Sequence, residues 1–268
     1  IIILLFLVVL LIQNQSKSQI AVSTLHIWIE ISSGKSQSGK ITITNYEDEK
    51  KELFVKIIDW ERNEDGSNVL LEPDTSSNSL ASWLDVTPKE IVLNPGQRKD
   101  IHYKITMPVS AEGSLWGAFA IYTQPEEFHP YESLKKGFQI QFKAKYGFLV
   151  KVWAVEPSTA VIEGEITKLE FFNNSELNNL DNNILIHFKN SGNIPLRPSG
   201  YLKMFDLNGR KIWEQTIDEF SILPENKRVL KIKCESDQIL SGTYKLLGVI
   251  NLGESNTIKK TVSLSIKN

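Results

Sequence analysis

The chain has 268 residues, 41% apolar and 23% charged, the make-up of a soluble globular protein long enough for two domains. A formal net charge of −2 gives no electrostatic reason for a nucleic acid or an anionic membrane as partner. The one cysteine, Cys234, excludes an internal disulfide.

Residues 1–12, "IIILLFLVVLLI", are unbroken apolar sequence, short of the roughly 20 residues that cross a bilayer. The polar "QNQSKSQ" follows, with small Ser16 and Ser18 ahead of Gln19. The pattern is that of the core and cleavage region of a secretory signal peptide, expected over residues 1–18 and N-terminally incomplete. No cysteine follows the run, which argues against a lipoprotein anchor there. An uncleaved membrane anchor is the other reading. Both place the body of the chain outside the cytoplasm, in the periplasm or at the cell surface.

Beyond residue 20 no helical period is sustained. Short alternating runs separated by turn signals take its place: "VSTLHIWIEI", "KITITNY", "KELFVKIIDW", "SWLDV", "KEIVL", "KDIHYKITM" and "LWGAFAIYT". This spacing predicts an antiparallel β-sandwich over residues 19–155. "VEPS" at 155–158 marks a boundary, since Pro157 cannot donate in a ladder. Seven further runs follow, "GEITKLEFF", "NILIHFKN", "SGYLKMFDL", "RKIWEQTI", "KRVLKIKC", "TYKLLGVIN" and "IKKTVSLSI". They predict a second sandwich over residues 156–268. The expected fold is all-β, two immunoglobulin-like antiparallel β-sandwich domains in tandem.

One run stands apart. From Phe138 to Ala154 every even position is apolar or aromatic, while Gln139, Gln141, Lys143 and Lys145 are polar. Period two puts the even side chains on one face of a single, unusually long strand. From Gly147 onward Leu149 and Trp153 make the odd face apolar as well, as expected where a strand leaves its sheet to meet a second domain. For Phe138, Ile140, Phe142 and Ala144 two readings stand: closing the core of the first sandwich, or display of bulky side chains to a partner.

Several patterns suggest chemistry and fall short of it. "SGKSQSGK" has Ile29 where a phosphate loop needs its first glycine, and strand follows it instead of helix, so a hairpin turn is expected. "ERNEDGSNVLLE", Glu61 to Glu72, places oxygen side chains, Gly66 and Glu72 as a calcium loop would, but strands flank it. A solvated turn is expected there. His26, His102, His129 and His187 are scattered, without the spacing of a metal site, and no catalytic motif is present. Trp28, Trp60, Trp83, Trp116 and Trp153 all fall in the first domain, where core or edge packing is the expectation and sugar stacking the sharper alternative.

The order of signals in the first domain resembles the N-terminal domain of periplasmic pilus-assembly chaperones, the PapD-like family. The matching features are "VSTLHIWIEI", "KITITN" ending in Asn45, "LFVKIIDW", "VTPKEIVLNPGQRKDIHYKITMP" and "LWGAFAIYTQP". The resemblance covers residues 20–155; the second domain is similar to sandwich modules of secreted proteins in general. It implies a last strand of the first domain that lends alternating bulky side chains to a subunit lacking a strand, here Phe138, Ile140, Phe142 and Ala144. It also implies a basic pair that anchors the subunit's terminal carboxylate. Lys145 and Lys151 lie near the place of the family's lysine. The first strand has no arginine, and His26 is its only potential cation.

The expectation is therefore an exported, non-catalytic, chaperone-like protein that binds an extended segment of a pilin-like or surface subunit by strand addition. A structural or adhesive envelope protein with no chaperone cycle is the alternative. No metal, small-molecule cofactor or nucleic acid is expected, and a membrane only through an uncleaved signal segment.

Overall fold

The computed structural model describes residues 20–123, 130–131, 139–140, 147–174, 181–234, 239, 241–253 and 256–266. The expected signal peptide, residues 1–18, lies outside them. No helix among the described residues is long and apolar enough to cross a membrane.

The first run divides in two. Ile20–Val22 (β1) pairs with Ser36–Asn45 (β3), whereas His26–Glu30 (β2) pairs parallel with the last strand of the sandwich. The crossing between sheets is made at residues 23–25. There Thr24 Oγ1 donates to the His26 carbonyl at 2.7 Å and accepts from its amide at 3.1 Å. A side chain that satisfies local backbone in this way replaces the ladder the chain has left.

Next come Lys51–Arg62 (β4), Asn68–Leu71 (β5), Leu84–Thr87 (β6), Glu90–Leu93 (β7), Arg98–Thr106 (β8) and Ser114–Tyr122 (β9). The short strands Pro130–Tyr131 (β10) and Gln139–Ile140 (β11) and the long Gly147–Val155 (β12) complete the first sandwich. One sheet has the order β1-β3-β8-β6; the other runs β10-β11-β5-β4-β9-β12-β2, with β7 on β4. Between them lies a core built by alternation, including Ile41, Ile43, Ile101 and Ile105 from the first sheet and Leu53, Val55, Phe119 and Val152 from the second. Each such side chain contributes about 1.5–3 kcal/mol by leaving water.

Within the expected long strand, Gln139–Ile140 and Gly147–Val155 are separate strands. Gln139 pairs with Leu71 of β5, while β12 pairs with β9 and β2, on the other side of the central β4. Alternation marks which side chains share a face, but it does not name the strand's neighbour.

The second sandwich follows a 3₁₀ turn at Pro157–Thr159. Gly164–Asn174 (β13), Asp181–Asn190 (β14) and Lys227–Lys233 (β17) make a sheet in that order. The facing sheet has the order β16-β15-β18-β19, formed by Ser199–Phe205 (β15), Lys211–Ile217 (β16), Gly242–Asn251 (β18) and Thr257–Ile266 (β19). Its core holds Ile184, Ile186, Phe188, Leu202, Met204 and Leu246, all fully buried. Val155, the end of β12, also belongs to this second core. One strand thus closes the first sandwich and enters the second.

The segment Glu61 to Glu72 is more than a solvated turn. It is the β4–β5 hairpin, and its tip rests on the second sandwich. The Glu64 carbonyl accepts from the Val229 amide at 2.8 Å and from Arg228 Nη1 at 3.0 Å. Two of its carboxylates are engaged: Asp65 accepts from the Ser67 amide and hydroxyl, and Glu72 pairs with Lys56. Among the described residues no group of three or more His, Cys, Asp or Glu is set to hold a metal ion.

Candidate functional site

On the eight-stranded sheet, the face turned away from the first core carries the tryptophans in a row. Trp28 of β2 lies opposite Trp153 of β12, which lies opposite Trp116 of β9. Trp116 Nε1 donates to the Trp60 carbonyl of β4 at 2.9 Å, and Trp60 Nε1 donates to the Gly117 carbonyl at 3.1 Å. Trp60, Trp116 and Trp153 are buried together with Ile58, Ala118, Ala120 and Leu223. Leu223 comes from the second sandwich, so these rings are core at the junction of the two sandwiches. Trp28 and Trp83 are exposed.

Lys151 sits in this row. Leu149, Lys151 and Trp153 share the odd face of β12, and the Lys151 side chain is turned into the aromatic cluster, leaving the residue 7% exposed. Its Nζ lies 4.1 Å from the centroid of the Trp60 ring and donates to Asn68 Oδ1 at 2.8 Å. Two ammonium protons remain after that bond. The Arg62 guanidinium, at the end of β4, lies 5.5 Å from the same ring. His26 stacks on Trp153 at 5.7 Å and is the Cα partner of Lys151 across the β2–β12 ladder.

The electrostatics are one-sided. Burial, with the Arg62 charge behind it, brings the Lys151 ammonium down to about 8. Burial, then Arg197, Lys151 and Arg62, lowers His26 from its ordinary value. Burial, then Arg228 and Arg197, lowers Arg62. Among the described residues no carboxylate offsets any of the three. Around Lys151, the buried donors Trp153 Nε1 and Arg62 Nε have no hydrogen-bond partner among the described residues. Among the described residues the site is desolvated, rich in donors and cationic, a chemistry to which an anion is complementary.

The backbone beside it has an edge that is unpaired among the described residues. From Lys151 to Val155, β12 has β9 on one side and β2 on the other, and the Lys151 amide donates to the Leu25 carbonyl at 2.9 Å. From Gly147 to Val150 it pairs with β9 alone among the described residues. By alternation, the amides of Gly147 and Leu149 point the same way as that of Lys151, toward the open side. Alongside lies a cleft of about 280 Å³ lined by Leu70, Ala120, Tyr122, Phe148 and Leu149.

Of the residues singled out in the sequence, Lys151 and His26 come together here. Phe138, Phe142, Ala144 and Lys145 lie outside the described residues. Ile140 has its backbone in β11, away from β12, and its side chain lies outside them too. Arg62 and Asn68 escape sequence reasoning, and Trp60 is foreseen only as core or edge packing; the sheet order alone carries them to Lys151.

No family model and no curated protein matches the chain. In its fold the chain is similar to solved fimbrial chaperones. The class 5 fimbriae chaperone CfaA is 10% identical, over 90% of this chain and 98% of its own, with a TM-score of 0.47. The YadV chaperone is 12% identical over 92% of this chain and 100% of its own, with a TM-score of 0.43. The chaperone–tip adhesion subunit complex CsuC–CsuE of Acinetobacter baumannii Csu pili gives 11%, 91%, 97% and 0.43. Function lives in sites and not in folds, so the cleft has to speak through its own residues.

Proposed function

We propose that the protein is an exported, non-catalytic, chaperone-like binder of an extended segment of a pilin-like or surface subunit. The observation that carries this reading is Lys151, a buried cation with no acid partner among the described residues, at the point where the open edge of β12 ends. A strand added along Gly147–Val150 continues the line of β2 and gains main-chain hydrogen bonds there. A chain end placed at Lys151, with its preceding residues running back toward Gly147, lies parallel to β12. Its terminal carboxylate then meets the Lys151 ammonium. Charge-assisted hydrogen bonds of this kind are among the strong ones. Side chains on one face of the added strand reach the apolar cleft beside Leu149 and Tyr122. The resemblance of residues 20–155 to pilus-assembly chaperones points the same way.

The test uses peptides about ten residues long, alternating Val and Thr, with either a free or an amidated C-terminus. Binding is read from the fluorescence of the tryptophans around Lys151. A free-acid peptide that binds at least about tenfold more tightly than its amide, with the difference lost in Lys151→Met, supports the reading. Equal binding of the two forms, or none, overturns it and favours an envelope protein with no chaperone cycle.

A further inference from the structure

The central strand β4 has a break along one side. There β7 pairs with it at residues 51–54 and β5 at residues 59–62. The Lys89 carbonyl, just ahead of β7, accepts from the Val55 amide at 2.8 Å. Backbone groups alternate in direction along a strand, so the N–H and C=O of Ile57 point to the same side as those of Val55. No hydrogen bond reaches either Ile57 group on that side among the described residues. The bare stretch, from Val55 to Asp59, is about 13 Å long at roughly 3.3 Å per residue.

Behind the break the wall of the sandwich is open. The Ile57 side chain packs against the first core and is only partly buried. With Leu84, Val86 and Tyr103 it lines a cavity of about 410 Å³ between the two sheets. The Tyr103 ring packs on Phe119 at 5.9 Å and lies across Gly39, where an added Cβ would stand 2.2 Å from its hydroxyl. That hydroxyl makes no hydrogen bond among the described residues. Lys89, Lys104 and His102 also line the cavity, against one acid, Asp85. None of the four forms an ion pair among the described residues.

An N–H and a C=O on one residue match the C=O and N–H of one residue of an antiparallel strand, which exchanges both bonds with it. The side chain of that incoming residue falls on the same face as Ile57, and so enters the cavity. An aromatic side chain has the largest apolar area to bury there, roughly 150–250 Å², and its polar tip, if it has one, meets Tyr103. Carboxylates beside it are drawn by the two unpaired lysines. We infer that the break in β4 is a second docking site, taking an extended acidic segment of a partner protein with one aromatic anchor. It is separate from the edge of β12 and does not depend on Lys151.

The probe is a blocked peptide, Glu-Glu-Phe-Glu-Glu, acetylated and amidated, with a fluorophore read by anisotropy. It has no terminal carboxylate for Lys151, so its failure leaves that reading untouched. Methylating the phenylalanine nitrogen removes the donor aimed at the Ile57 carbonyl and is expected to weaken binding about tenfold. Methylating the next glutamate nitrogen, which points away from β4, is expected to change it little. Replacing the phenylalanine by alanine should weaken binding at least tenfold. Lys89→Glu with Lys104→Glu, checked for folding by circular dichroism, should do the same, while Lys151→Met should not. Absence of binding, equal loss from the two methylated peptides, or loss in Lys151→Met overturns the inference. Hydrogen exchange read by NMR gives a second measure. The Ile57 amide should exchange more slowly in the complex, and an unchanged rate rejects the pairing.

Discussion

The Lys151 ammonium rests 4.1 Å from the centroid of the Trp60 ring, with one hydrogen bond, to Asn68, and no carboxylate to answer it among the described residues. A buried ion costs several kcal/mol even after relaxation. A cation–π contact returns roughly 0.5–2 kcal/mol and the hydrogen bond roughly another 1.5–3. Set beside the Arg62 charge, the balance is against the fold. A group kept where it weakens the empty protein is a candidate for work that the empty protein does not do.

This has a pH signature. The folded-state value for Lys151, about 8, lies below its ordinary 10.5. Below pH 8 both folded and unfolded chains hold the proton, and folding bears the whole cost of burying the charge. Between pH 8 and 10.5 the folded chain sheds the proton while the unfolded chain keeps it, so stability from this group rises with pH. With solvent screening at the open side of the site allowed for, the rise is of the order of 1–2 kcal/mol. Lys151→Met is expected to be at least as stable as wild type at pH 7, and its advantage should shrink by pH 10. Urea unfolding of both proteins at the two pH values checks this. An advantage that does not change with pH would contradict it.

Much of the fold is legible from period two. Leu53, Val55 and Ile58 to Trp60 in "LFVKIIDW" foretell both a buried face and a second apolar one, and the seven runs after residue 160 all become strands. The pairing partners are not legible. "VSTLHIWIEI" reads as one strand and serves two sheets; residues 138–154 read as one and supply strands to both sides of β4. The site fares the same way. Lys151 is visible beside Trp153, but Arg62 is 89 residues distant in sequence (151 − 62) and meets it only because β9 lies between β4 and β12. Alternation is a local property, whereas convergence of charge is a property of strand order.

Asn45 and Asn190 end β3 and β14, one in each sandwich, and both are fully buried. Asn45 Nδ2 donates to the carbonyls of Glu49, Leu93 and Asn94 at 2.8–3.2 Å, and its Oδ1 accepts from the Glu47 amide. Asn190 repeats the device with the Ile194 carbonyl and the Gly192 amide. Removing such a side chain orphans buried backbone groups at about 1–3 kcal/mol each. Asn45→Ala is expected to lose about 2–4 kcal/mol in urea unfolding, and Asn190→Ala somewhat less. Asn45→Asp should rescue little, since a carboxylate cannot donate to three carbonyls. Full rescue by Asp would show that turn geometry and not donation holds these corners.

Gly66 joins the turn chemistry to the cleft. Its φ of +91° is in the region that side chains avoid, and an added Cβ would stand 2.1 Å from the guanidinium carbon of Arg228. The backbone cost of Gly66→Ala is about 1–2 kcal/mol. Arg228 must also swing aside, which releases its 3.0 Å bond to the Glu64 carbonyl, the contact that seats the hairpin. The expected result is a loss of about 2–3 kcal/mol in urea unfolding together with altered fluorescence of Trp60 and Trp116, which pack on Leu223 at the same junction. Arg228→Ala supplies the comparison. It removes the seating contact without the backbone strain, so it should reproduce the fluorescence change with a smaller loss of stability. A Gly66→Ala protein with wild-type fluorescence would mean that the hairpin tip does not govern how the two sandwiches meet.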